Sequence, residues 1–85
     1  MSYSVSTKPS DFTLKRRIDA LKGSMGSKFI SAEIKTNNLD EVYVEVITSL
    51  RPSLRLFEAC DIIMKPFNII FDHQTLNHYV LKFIY

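Results

Sequence analysis

The chain has one cysteine, two glycines, three prolines and no tryptophan. With Cys60 alone, no intramolecular disulfide can form, and neither a disulfide-stapled secreted scaffold nor a cysteine-based zinc framework is open to it. His73 and His78, with no cysteine partner, match no standard ligand spacing, so no metal or other cofactor is expected. Gly23 and Gly26 do not build a phosphate-cradling loop, and no nucleophile elbow is present. No apolar run approaches the length of about 20 residues that a membrane-spanning helix needs. No apolar stretch follows Met1-Ser2-Tyr3-Ser4 either. These absences lead to the expectation of a cytoplasmic protein that has no membrane contact and is not an enzyme.

What is present suffices for one core. Across 85 residues, 46% are hydrophobic and 24% charged. That balance suits a globular domain and not a disordered segment. A chain of this size buries only about 60 to 65% of its unfolded surface, so association with itself or a partner would add to a slim margin. A homo-oligomer is accordingly one expectation.

The formal net charge of +2 is unevenly placed. Residues 1–28 carry Lys8, Lys15, Arg16, Arg17, Lys22 and Lys28 against Asp11 and Asp19, a local excess of +4. The remaining residues carry five bases against seven acids, or −2. Concentrated positive charge favours an anionic partner over a uniformly solvated surface.

Residues 1–8 are rich in Ser and Thr without periodicity and read as a loose arm, leaving residues 9–85 as a single α+β domain. Ser10 is a candidate N-cap, with Asp11 where the helix dipole favours an acid. Leu14, Ile18, Leu21 and Met25 recur at helical spacing, which predicts a helix to about Lys22 with Gly23 just beyond its end. From Phe29 the period becomes two, with Ile30, Ala32 and Ile34 on one face. Turn residues follow, and then Val42, Val44 and Val46 alternate with Tyr43, Glu45 and Ile47, which predicts a hairpin. Pro52 in the first turn and the spacing of Leu56, Phe57, Cys60, Ile63 and Met64 predict a second helix ending before Pro66, with Arg55–Glu58 and Asp61–Lys65 charge pairs on its wet side. A strand through Leu54 and Leu56 is the competing assignment. Residues 67–71 and 79–85 are β-rich and joined by residues 72–78, a second hairpin. The order αββαββ predicts a four-stranded antiparallel sheet with two helices packed mainly on one face.

Two features point to a function. Lys15, Arg16 and Lys22 project from a helix whose other side is apolar, and with Arg17 and Lys28 they form a cationic set suited to phosphates. Tyr79, Leu81, Phe83 and Tyr85 share one strand parity, Tyr43 can lie beside them, and exposed aromatics stack unpaired bases. On this basis Val42, Val44 and Val46 with Val80 and Ile84 form the core. The expectation is a non-enzymatic RNA- or nucleic-acid-binding regulator that contacts its ligand through Lys15, Arg16, Arg17, Lys22, Lys28, Tyr43, Tyr79, Phe83 and Tyr85. Two alternatives fit the same residues. One is a protein-binding inhibitor or antitoxin-like accessory factor of viral type, which would use the C-terminal strand or a sheet edge. The other is a homo-oligomeric structural subunit closed by Tyr79, Phe83 and Tyr85. His73, His78 and Lys82 offer the only material for acid–base chemistry on phosphate, and histidines among Asn and Gln more often belong to a turn.

Overall fold

The computed structural model describes residues 9–85; the arm expected over residues 1–8 lies outside the described residues. The elements run α1 (Asp11–Met25), a single 3₁₀ turn (Gly26–Lys28), β1 (Phe29–Thr36), β2 (Val42–Thr48), α2 (Leu54–Met64), β3 (Asn68–Thr75) and β4 (His78–Ile84). The strands form one four-stranded antiparallel sheet, as the αββαββ reading anticipates, and their order in it is β1-β2-β4-β3. No described helix is long and apolar enough to cross a membrane.

Both helices begin with serine caps. Ser10 accepts from the Thr13 amide at 3.2 Å, and Ser53 accepts from the Leu56 amide at 3.1 Å. Each cap satisfies an amide that has no partner inside the helix. Helix α1 continues past Gly23 and stops at Gly26, whose φ is 63°. That conformation is costly for any residue with a Cβ. Met25, expected near or beyond the helix end, is therefore helical, and it is buried. Helix α2 ends at Lys65 in the left-handed region, directly before Pro66. The competing strand through Leu54 and Leu56 is not formed, and α2 starts at Leu54 after its cap Ser53, so Pro52 lies before the helix and not in its first turn.

The core lies between the two helices and one sheet face. Leu14, Leu21 and Met25 from α1 and Cys60 and Met64 from α2 meet Val44, Val46, Leu81 and Phe83 from the central strands. Val44 pairs with Phe83 and Val46 with Leu81, and directly paired residues share a face. The β4 parity is thus the reverse of that expected. Leu81 and Phe83 face the helices, whereas Val80 and Ile84 lie on the open face, where Val80 is buried between Ile47 and His73 in register. Burying each large side chain contributes about 1.5–3 kcal/mol.

Two irregularities on the outer strands correct the simple alternation. Between Phe29 and Ser31 the register shifts, so Phe29 packs on the core and Ile30, expected to point inward, is exposed. A second shift between Phe71 and His73 sets Asp72 apart, and β3 runs on to Thr75 through residues expected to be loop. The connecting turn shrinks to Leu76 and Asn77.

Thr48 is the one buried polar residue of the described core. Its hydroxyl donates to the Lys28 carbonyl at 2.8 Å and accepts from the Leu50 amide at 3.1 Å. Its burial therefore leaves nothing unpaired.

Candidate nucleic-acid interface

Helix α1 distributes its cations in three directions. At about 100° per residue, Lys15 and Lys22 fall on the flank toward β1, Arg16 points away from the core, and Arg17 falls on the flank toward α2. Lys15 lines a cavity of about 560 Å³ between α1 and β1 together with Asp11, Asp19 and Glu33. Carboxylates outnumber cations there, which disfavours a phosphate. Lys28 stands apart, exposed in the 3₁₀ turn.

On the other flank the balance reverses. Arg16, Arg17 and Lys65 line a cavity of about 360 Å³ between the helices, with Phe12, Thr13, Ala20 and Ile63, and no described carboxylate lines it. Phe12 is 69% exposed, and the Arg16 guanidinium stands over its ring at 5.8 Å. Residues four apart on a helix can meet in this way. Arg17 donates one N–H to the Met64 carbonyl at 3.1 Å and stands 5.9 Å from the Tyr85 ring. A guanidinium has five N–H groups, so these contacts do not exhaust its donors, and Arg17 also lines the cavity. Lys65 contributes its ammonium because its own amide, bonded to the Asp61 carbonyl at 3.0 Å, closes α2 at that point. The result is a fork-shaped cationic cleft beside an exposed aromatic ring, which can hold a phosphate and stack a base.

The aromatic residues expected to stack bases are dispersed. Phe83 is 0% exposed, sealed under the helices by its pairing with Val44, and offers no surface to a ligand. Tyr85 is half-buried, and its hydroxyl donates to the Met64 carbonyl at 2.6 Å. Burial pushes its phenol up to about 12, with the neighbouring Arg17 opposing the rise. Tyr79 lies on the helix side of β4 beside Phe71, ring centres 6.3 Å apart. Of the expected aromatics, Tyr43 alone occupies the open face, with the Lys82 ammonium 5.3 Å from its ring.

That open face is not cationic. Lys35 and Lys82 share it with Glu33, Glu45 and Asp72. Lys35 donates to Glu45 at 3.0 Å. This hydrogen-bonded carboxylate holds Lys35 above its ordinary range. His73 and Lys82 meet Asp72 at 2.6 and 3.4 Å, and the His73 bond, then Lys82, holds the Asp72 carboxyl below its ordinary value. His78, paired with Thr75 at the start of β4, does not join this group. Among the described residues no three His, Cys, Asp or Glu side chains gather as a metal site.

Phe12 and Lys65 were not among the residues expected from sequence. Phe12 had a readable signal, since it stands four residues before Arg16 in a helix. Lys65 had none, because only the packing of α2 against α1 brings it near. Comparison of the chain with protein-family models, with curated proteins and with solved structures finds no match.

Proposed function

We propose that this domain binds single-stranded nucleic acid through the cleft between α1 and α2, without catalysing a reaction. One observation carries the proposal: Arg16, Arg17 and Lys65 line a single cavity that no described carboxylate enters, next to the exposed Phe12. Guanidinium groups bind phosphate oxygens in pairs, and an aromatic ring accepts any base face, so the combination suits an unpaired strand read with little sequence preference. Arg16 and Arg17 remain from the contact set expected from sequence, Phe12 and Lys65 join it, and Phe83 leaves it. Lys15 and Lys22 act at longer range, raising the local positive potential of α1.

The test is a titration of isotope-labelled protein with a short oligouridylate, followed by amide and side-chain resonances. Shifts centred on Phe12, Arg16, Ile63 and Lys65 are expected. Shifts centred instead on Tyr43 and Lys82, or no shifts at low salt, would refute the cleft as the binding site.

A further inference from the structure

The two helices do not cover the whole sheet. Ile69 and Phe71 of β3 pair with Phe83 and Leu81 of β4 and so face the helix side. Yet Phe71 remains 45% exposed, and Phe67, just before the strand, is 88% exposed. Between α2 and β3 lies a groove of about 380 Å³ lined by Phe57, Glu58, Asp61, Phe67, Asn68 and Ile69. Beyond the groove, Phe71 of β3 and Tyr79 of β4 stand on the same face of the sheet with ring centres 6.3 Å apart.

The charge of this groove is of one sign. Glu58 and Asp61 stand on its α2 rim, both exposed, and no described basic residue lines it. The intrahelical pairs expected with Arg55 and Lys65 do not form; among the described residues neither carboxylate has an ion-pair partner. Lys65 turns instead into the cleft on the other side of α2. An aromatic floor beneath an acidic rim complements a segment that is apolar on one side and basic on the other.

We propose that the α2–β3 groove is a docking site for a basic amphipathic segment of a partner protein, with apolar side chains seated between Phe57 and Phe67 and Lys or Arg side chains paired to Glu58 and Asp61. This surface lies across α2 from the cationic cleft, so one domain holds an anionic ligand on one flank and a cationic protein segment on the other. Neither engagement needs the other.

The absence of tryptophan makes the test clean, because a single tryptophan in a probe peptide reports alone. The probes are a short leucine- and lysine-rich amphipathic peptide carrying one tryptophan, and the same peptide with glutamate in place of every lysine. The lysine peptide is expected to bind with a blue-shifted emission and to perturb the resonances of Phe57, Phe67 and Ile69. Phe67→Ala should weaken it about tenfold. The double reversal Glu58→Lys/Asp61→Lys should exchange the preference between the two peptides. All substituted side chains are exposed, and circular dichroism checks that the variants fold. Equal binding of both peptides would retain the apolar groove and overturn the assignment of a basic partner. No binding of either, or self-association of the protein through the same resonances, would overturn the docking site altogether. None of these outcomes bears on the cleft between the helices, which the oligouridylate titration tests separately.

Discussion

Arg17 and Tyr85 converge on one acceptor, the carbonyl oxygen of Met64, from which the Arg17 nitrogen stands 3.1 Å and the Tyr85 hydroxyl 2.6 Å away. Met64 is the last residue of α2, where a helix leaves its carbonyls without internal partners and its dipole is negative. The two side chains thus tie α1, α2 and the end of β4 into one joint, and place Arg17 on the wall of the cationic cleft. Arg17→Met should cost about 1–3 kcal/mol and Tyr85→Phe about 1 kcal/mol in denaturant unfolding. Because they share an acceptor, the double variant should cost less or more than the sum by at least about 0.5 kcal/mol. Strict additivity would contradict the shared joint.

Gly23 inside α1 and Gly26 at its C-cap should respond oppositely to alanine. Gly23 lies inside the helix with open space where a Cβ would stand. Gly23→Ala should therefore stabilise by about 0.5–1 kcal/mol. Gly26 closes the helix at φ 63°, and a Cβ there too would meet nothing. Gly26→Ala should nevertheless destabilise by about 1–3 kcal/mol, through backbone strain alone. Thermal melts of the two variants measure both signs.

Phe83 and Phe12 separate core from surface. Phe83→Ala should cost about 3–5 kcal/mol, a large part of the stability of a domain this small. Phe12→Ala should leave stability nearly unchanged while reducing oligonucleotide affinity by the equivalent of about 1–3 kcal/mol. A Phe12→Ala variant that binds as wild type would remove stacking from the mechanism.

Stability should fall in alkali. Burial pushes the Cys60 thiol from 9.0 up to about 11 and the Tyr85 phenol from 10.0 up to about 12. Each folded group holds its proton more tightly than the unfolded one, so its stabilising contribution is complete below the unfolded value. It is lost as pH rises through the folded value. Lys35, held up by Glu45, changes in the same direction. Unfolding free energies measured from about pH 8 upward should therefore decline beyond about pH 9. Cys60→Ala should flatten the first part of that decline, and Tyr85→Phe the later part; a flat profile to about pH 11 in wild type would contradict the burial of both groups.

Much of the fold was legible because its elements carry local signals. Leu14, Ile18, Leu21 and Met25 mark the inward stripe of α1, and Ser10 marks where it begins, whereas Pro52 sets the expected start of α2 and leaves its cap Ser53 unread. Strand β4 was not legible in the same way, since apolar residues occupy both of its parities. Only the cross-strand neighbours Val44 and Val46 determine that Leu81 and Phe83 turn inward. The bulge at Ile30 hides in an unbroken alternation, and nothing local to Lys35 announces the hydrogen bond to Glu45. The candidate site was half legible: charge placement points to α1, but the cleft exists because α2 ends where Lys65 meets Arg16 and Arg17. That is a long-range packing result without a sequence period.

Phosphate binding in the cleft is tested by the salt dependence of oligouridylate affinity, taken between about 50 and 200 mM salt for wild type and for Arg16→Gln/Lys65→Gln. These substitutions spare Arg17 and its structural bond to Met64. In wild type log K should fall linearly with log salt, and the double variant should bind more weakly, with a slope shallower by about 1 to 2 as two phosphate contacts are lost. A slope unchanged by both substitutions, or wild-type binding insensitive to salt, would contradict the cleft between α1 and α2 as a nucleic-acid interface.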